Sequence, residues 1–289
     1  MWQGRDSAAM QSAMEAPFET ALVGAGRFGQ VHAAKLACAA RSRLVAVIDP
    51  DVSRAEALAQ RWGVSAHACL SDALVRHPRL RACAVVTPRA HLARVAREAL
   101  WASLDVLVEK PGAASGAEFA ELVTLAQARG RALRVGYVER FLPGEPQGEA
   151  TLMSVRAFAV GQTPEELLLD RLCHDVDRAV RVLGPRLALT AVRVHRGALR
   201  VDLAAADGRR ARLVAWPAPS EARRWWTPVG RSRRFSVPEA DPLAAQWRAV
   251  ETHVRGEMPQ PIEPAGAESC SAVWALLEAA RAELRGARE

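Results

Sequence analysis

The chain has 289 residues, half of them hydrophobic, which supplies apolar material for two modest cores at the usual ~100–200 residues per domain. No stretch approaches the roughly 18 uninterrupted apolar residues of a membrane span, and residues 1–17, with Arg5, Asp6, Gln11 and Glu15, read as a disordered tail rather than a signal peptide. The net charge of +7 comes from arginines spread along the whole chain without a zinc-finger or RNP-type motif, which argues against nucleic acid as a partner and leaves anionic small molecules compatible.

Cys38, Cys69, Cys83, Cys173 and Cys270 are odd in number and lack CxxC or finger spacing. They fit a reduced, cytoplasmic setting, and no metal site is expected. Lys35 and Lys110 are the only lysines in a chain that otherwise takes its positive charge from arginine. Ammonium and guanidinium differ in size, hydration and capacity to shift pKa, so a lysine kept in this background invites a functional reason.

From Phe18 onward, short β-rich runs alternate with helical segments, the pattern of a parallel sheet covered by helices. The expected strands are Glu19–Val23, Leu44–Ile48, Ala82–Val86, Asp105–Val108 and Ala132–Val135. A helix over Ser115–Arg129 opens with a capping box at Ser115 and Glu118 and closes at Gly130. Residues 18–138 form the expected nucleotide-binding Rossmann domain, with a doubly wound parallel sheet. The Pro/Gly-rich stretch Arg140–Gly148 marks the crossing to a second domain over 139–289. There, Thr163-Pro-Glu-Glu166 starts a helix that Gly184-Pro185 ends. Leu187–His195, Ala198–Ala205 and Arg209–Trp216 read as antiparallel strands, the last two joined at Asp207-Gly208. Asp241-Pro242 and Gly256 bracket one further helix and Ala267–Arg285 suggests another. The second domain is thus α+β with a largely antiparallel open sheet, a form that favours homo-oligomers.

Gly24-Ala-Gly26-Arg27-Phe28-Gly29 follows the first strand and opens an Ala-rich helix. In a dinucleotide site the first glycine permits the tight turn, the second admits the pyrophosphate and the third lets helix pack on strand, with the anion at the helix N-terminus. Asp49 ends the next strand at the spacing where a carboxylate holds both ribose hydroxyls. A carboxylate there repels an added 2′-phosphate, so NAD(H) is expected over NADP(H), although Arg54 stands close enough in sequence to neutralise one.

Glu109-Lys110-Pro111 lies at the carboxyl end of a Rossmann strand, where ligands of open α/β sheets bind. Asp170, His174 and Asp177 are spaced i, i+4, i+7 and are expected on one helical face beside an apolar stripe of Leu169, Leu172, Cys173, Val176, Val180 and Leu183. Asp177 is read as a solvated partner of Arg181.

These motifs, with Val-Val-Thr87-Pro88 and His91, Tyr137-Val-Glu-Arg-Phe141 and the Asp-Pro-Leu243 helix entry, resemble the Gfo/Idh/MocA family of sugar and cyclitol oxidoreductases from Ala21 onward. The resemblance implies catalysis by Lys110, Asp170 and His174. It also implies cofactor contacts from Gly24, Gly26, Arg27, Phe28, Gly29, Asp49, Thr87, Pro88, Glu109 and Lys110. His174 is the natural base for a hydroxyl proton, Asp170 orients it or shares the proton, and Lys110 stabilises the developing alkoxide. Where the family often has Gly and a basic residue, this chain has Ser103-Leu104. His32, His91 and Tyr137 read as packing or loop residues, and His67, His77, His195 and His253 show no partner spacing.

Within the family, Tyr137–Phe141, the Asp170–Asp177 helix and the strand Arg209–Trp216 with Ser220-Glu-Ala-Arg-Arg224 look most like the UDP-N-acetylglucosamine 3-dehydrogenase branch. Arg140, Arg156, Arg223 and Arg224 fall in segments able to border the cleft, where guanidinium forks suit a diphosphate, with solvated charges on strand ends and loops as the equal alternative. A free sugar or an inositol is the alternative substrate, and a non-catalytic sensor of NAD or sugar is the alternative function.

Overall fold

Strands of Ala, Val, Leu and Ile buried on both faces build the first sheet, as a parallel sheet covered by helices requires. In the computed structural model, which describes residues 16–142, 151–158, 161–217, 224–228, 233–234, 241–257 and 265–286, its strands are β1 (Phe18–Val23), β2 (Ser42–Ile48), β3 (Ser65–His67), β4 (Leu80–Val85), β5 (Asp105–Glu109) and β6 (Leu133–Gly136). All pair in parallel in the order β3-β2-β1-β4-β5-β6. The order reverses between β1 and β4, the switch point where doubly wound sheets bind ligands outside their carboxyl ends. The expected five strands are present. β3 escaped the sequence pattern because its Ser-Ala-His is half-buried throughout and offers no apolar run.

Helices α1 (Arg27–Ala37), α2 (Val52–Trp62), α3 (Leu70–Arg76), α4 (Arg89–Trp101) and α5 (Gly116–Arg129) connect these strands. The Ser115 hydroxyl accepts from the Glu118 N–H at 3.2 Å, as its sequence position predicts. α2, α4 and α5 share one C-terminal device, in which the two residues beyond the cap donate N–H groups back to the last turn. Gly63 and Gly130 occupy the left-handed position of α2 and α5, whereas at α4 it falls to Ser103, at φ +59°.

Among the described residues, 16–114, 121–141 and 241–257 form one unit and the remainder a second. This division differs from a single boundary near residue 139. Helix α7 (Pro242–Val254), expected in the second domain, packs with the first. Its Trp247, Val250 and Val254 join the core that contains Leu22, Val47, Ala82 and Leu107. The fully buried Glu251 accepts from the Ser42 hydroxyl at 2.8 Å and the Arg41 N–H at 3.0 Å, and Trp247 Nε1 donates to the same hydroxyl. The return was hidden because contacts made 205 or more residues apart leave no local pattern.

The second unit carries a mixed sheet in the order β12-β11-β7-β10-β9-β8, with β7 (Thr151–Phe158), β8 (Leu187–His195), β9 (Ala198–Ala205), β10 (Arg210–Pro217), β11 (Arg224–Pro228) and β12 (Arg233–Arg234). Only β7 and β10 run parallel. Leu199, Val201 and Leu203 of β9 and Ala211, Leu213 and Ala215 of β10 are buried. Arg200, Asp202 and Arg212 occupy alternate positions, where Asp202 pairs with both arginines. This period of two explains how β9 was legible to the residue. The expected tail over residues 1–15, the Pro/Gly stretch after Leu142 and Ser220–Arg223 lie outside the described residues.

Thr163 caps the helical segment as expected, with its side chain and that of Glu166 exchanging hydrogen bonds to each other's backbone N–H. After one α-helical turn, Pro164–Glu166, the chain widens into a π-helical turn over Leu167–Leu172, then continues as α6 (Cys173–Leu183). Leu167, Leu168, Leu169 and Leu172 of this turn are buried, and the burial continues through the first eight residues of α6. Helix α8 (Ala267–Gly286) completes this unit.

Candidate active site

The glycine loop runs from the end of β1 into α1. Gly24 has φ +106°, and an added Cβ there would stand 2.4 Å from the Val86 carbonyl oxygen. A Cβ on Gly29 would meet the Gly24 carbonyl oxygen at 2.0 Å, so these glycines serve the turn and the helix–strand approach. Gly26 differs: nothing lies within 4 Å of where its Cβ would be. That open direction is the space a pyrophosphate needs. Gly26 also caps α1 without a side-chain hydrogen bond, and no acidic residue occupies the first turn to compete for an anion. Arg27 and Phe28 are exposed on this turn.

Asp49 is buried beside the loop. One of its oxygens accepts from the Ala25 N–H at 2.8 Å, the other from the Asp51 N–H at 2.9 Å. Arg54, the residue that complicated the cofactor reading, places Nη2 3.4 Å from Asp49 and Nε 3.0 Å from Asp51. One guanidinium therefore faces two carboxylates, and the corner keeps a net negative charge. Thr87 and Pro88 follow β4; Pro88 caps α4, and the Thr87 hydroxyl is buried.

At the carboxyl end of β5, the Glu109 side chain turns inward. Its Oε1 lies 2.9 Å from His32 Nε2 on α1, and its Oε2 accepts from the Lys110 N–H at 3.1 Å. His32, read from sequence as a packing residue, is indeed buried, yet it is also the partner of a buried carboxylate. Lys110 is half-buried immediately beyond.

The second unit holds Asp170 and His174 on successive turns of the segment that passes from π- to α-helix. Their surroundings differ. His174 is buried, whereas Asp170 is half-exposed, with Oδ2 3.3 Å from Arg171 Nε and 3.4 Å from Gln162 Nε2. Asp177, expected on a solvated face, is buried, which overturns that reading.

Asp175, not singled out from sequence, is the most enclosed carboxylate here. Being fully buried, it pairs with Arg156 Nε and with Nη2 at 2.9 Å, accepts from the Ser154 hydroxyl at 2.8 Å and lies 3.8 Å from Arg178. Arg156 is thus held in the core by a carboxylate, against the expectation that it serves a substrate diphosphate. Arg140 is buried in the 3-10 turn Val138–Phe141. The expected contacts Arg223 and Arg224 have side chains outside the described residues. A sequence signal for Arg156 existed: Leu152, Ser154 and Arg156 share one face of β7 by the period of two, and an arginine on an inward face requires a partner.

Residues 18–137 match the family model for Gfo/Idh/MocA, described as an oxidoreductase family with an NAD-binding Rossmann fold. That match covers the first domain alone, less than half of the chain. In sequence, the chain is 29% identical to the UDP-N-acetylglucosamine 3-dehydrogenase of Acidithiobacillus ferrooxidans over 176 residues, covering 57% of this chain and 54% of that protein. It is 30% identical to the inositol 2-dehydrogenase of Acidothermus cellulolyticus over 225 residues, covering 77% of this chain and 60% of that one. The matched part of the chain thus spans a little over half the length of these curated relatives. The solved structure of the Acidithiobacillus enzyme superposes with a TM-score of 0.78 at 21% identity, covering 92% of this chain and 97% of that chain. GenD2 from gentamicin A biosynthesis, solved in complex with NAD, gives 0.79 at 22% identity over 94% and 95%. At such identities the superpositions speak for the fold. No helix among the described residues is long and apolar enough to cross a membrane, and no group of three metal-ligating side chains occurs among them.

Proposed function

We propose that this protein is a Gfo/Idh/MocA-type NAD(H)-dependent dehydrogenase of a secondary alcohol on a sugar-like substrate, with a nucleotide-linked sugar as the class to test first. The observation that carries the reading is the fastening of Glu109, the residue before Lys110, to the glycine-loop helix through His32. NAD, when bound, accepts the hydride from the substrate carbon. The chain supplies the rest. The open direction at Gly26 and the bare first turn of α1 receive the pyrophosphate, and the Asp49 corner, with two carboxylates against Arg54, holds the ribose and disfavours a 2′-phosphate. Thr87, Pro88, Arg27 and Phe28 border the same loop. Lys110 stabilises the negative charge that develops on the substrate oxygen. His174 takes the hydroxyl proton, and Asp170, one turn before it, orients the imidazole or shares that proton.

Two observations keep a second substrate reading in view. Arg156 is committed to Asp175 rather than to a diphosphate, and inositol 2-dehydrogenases are among the matched relatives. The deciding assay is NADH formation with UDP-N-acetylhexosamines beside free sugars and inositols. Turnover confined to the uncharged compounds removes the nucleotide-sugar reading and leaves the dehydrogenase. NADH binding without turnover on any compound overturns the enzyme assignment and favours a sensor. Alanine at Lys110, His174 or Asp170 is expected to lower turnover by about 10²–10⁴-fold with NADH binding retained.

A further inference from the structure

We infer that His32 is a positioning residue, holding the Glu109 carboxylate so that this carboxylate fixes the main chain at Lys110. The inference rests on the dehydrogenase reading for its catalytic meaning and on the geometry for everything else.

Glu109 and His32 are separated by 77 residues, both are buried, and their polar atoms meet at 2.9 Å. The carboxylate oxygens divide their work: Oε1 faces the His32 ring and Oε2 accepts from the Lys110 N–H at 3.1 Å. β6 makes room for this arrangement. A Cβ on Gly136 would stand 2.6 Å from Glu109 Oε1, so glycine there lets the carboxylate lie against the backbone. On its other side the His32 ring meets the Phe28 ring edge-on, with centroids 5.0 Å apart and an interplanar angle of 79°. A continuous line of contacts therefore runs from the glycine loop through Phe28, His32 and Glu109 to the Lys110 backbone. Packing alone does not call for such a pair, since apolar residues of similar volume serve a core as well as a buried ion pair does. What the pair adds is direction. Nε2–H donates to one oxygen, and the carboxylate so oriented presents the other to the Lys110 N–H.

The lysine content of the chain gives a readout that does not depend on turnover. With lysine labelled by 13C at the ε carbon, the protein shows two signals, and Lys35→Arg removes one while retaining the charge that pairs with Asp241. In that background, His32→Leu is expected to displace the Lys110 signal or its titration midpoint. The same change is expected to lower kcat by about 10–100-fold while the Kd for NADH stays within about threefold. His32→Gln carries a side-chain N–H near the place of Nε2 and restores both. Glu109→Gln is the second variant, used if His32→Leu does not fold, and is expected to displace the signal as well. An unmoved Lys110 signal in His32→Leu and in Glu109→Gln overturns the inference. Equal losses in His32→Leu and His32→Gln, accompanied by an equal fall in Tm, also overturn it, because they describe a purely structural histidine. Absence of turnover in the unmodified protein counts against the dehydrogenase reading alone, and the lysine signal then decides the role of His32.

Discussion

Replacing Asp175 tests whether Arg156 belongs to the core or to substrate. The carboxylate is fully buried and takes hydrogen bonds from both Arg156 and Ser154, with Arg178 3.8 Å away. Removing one partner of a buried, hydrogen-bonded ion pair costs about 3–5 kcal/mol, because the other charge stays in a low-dielectric surrounding. Asp175→Ala is therefore expected to lower Tm by roughly 6–20 °C, at about 2–4 °C per kcal/mol for a body of 150–250 residues. The double variant Asp175→Leu with Arg156→Met removes both charges and is expected to recover most of that loss, since apolar replacement of a whole buried pair is often neutral. Thermal and urea denaturation of the single and double variants measure the coupling. A Tm within about 2 °C of the unmodified protein for Asp175→Ala, or an Arg156→Met variant that loses nucleotide-sugar binding at unchanged stability, refutes the core assignment.

Three further expectations concern the other unit. NADH is expected to bind more tightly than NADPH, with Asp49→Ala costing about 10–100-fold for NADH, the worth of a charge-assisted hydrogen bond or two; equal affinities in the unmodified protein, read by fluorescence titration, reject the role of Asp49. Ser103→Gly is expected to stabilise by up to about 1.6 kcal/mol: relief of a left-handed L-residue is worth roughly 1–2 kcal/mol, less about 0.4–1 kcal/mol for the freer unfolded chain. A fall in Tm contradicts this. His67 has its pKa lowered, first by burial and then by His77, with Arg76 acting in the same direction and Asp72 opposing. Its contribution to stability is present above its unfolded value of about 6.5 and is lost as pH falls through the lower folded value. His67→Gln is expected to flatten the decline of Tm between about pH 7 and 5, and an unchanged slope counts against it.

Much of this molecule was legible because local pattern and tertiary role coincide. β9 alternates buried Leu and Val with Arg200 and Asp202, and the turn at Asp207-Gly208 has the positive φ that Gly208 adopts. The capping boxes at Ser115 and Thr163 are chemical signatures over three residues, so they survive any tertiary arrangement. β3 and α7 behave differently. Three half-buried residues offer no period, and α7 has an amphipathic pattern that states which face is buried without stating against what. Its destination is set by Ser42 and Arg41, whose partnership with Glu251 spans more than 200 residues.

The candidate site divides along the same line. Gly24, Gly29 and Asp49 are tied to a turn and a strand end, so spacing alone placed them. The Asp170–Asp177 face was drawn on an unbroken α-helix of 3.6 residues per turn, but the π-helical turn over Leu167–Leu172 precedes α6. A turn that hydrogen-bonds i to i+5 takes in one more residue than an α turn, so everything before it is rotated by roughly 100° relative to the helix that follows. Asp170 lies within that turn and is half-exposed, whereas every residue from Leu172 to Val180 is buried, His174 among them. Asp175 points into the core, where it pairs with the inward Arg156 of β7. A π turn costs hydrogen-bond geometry and recurs at functional sites in helices.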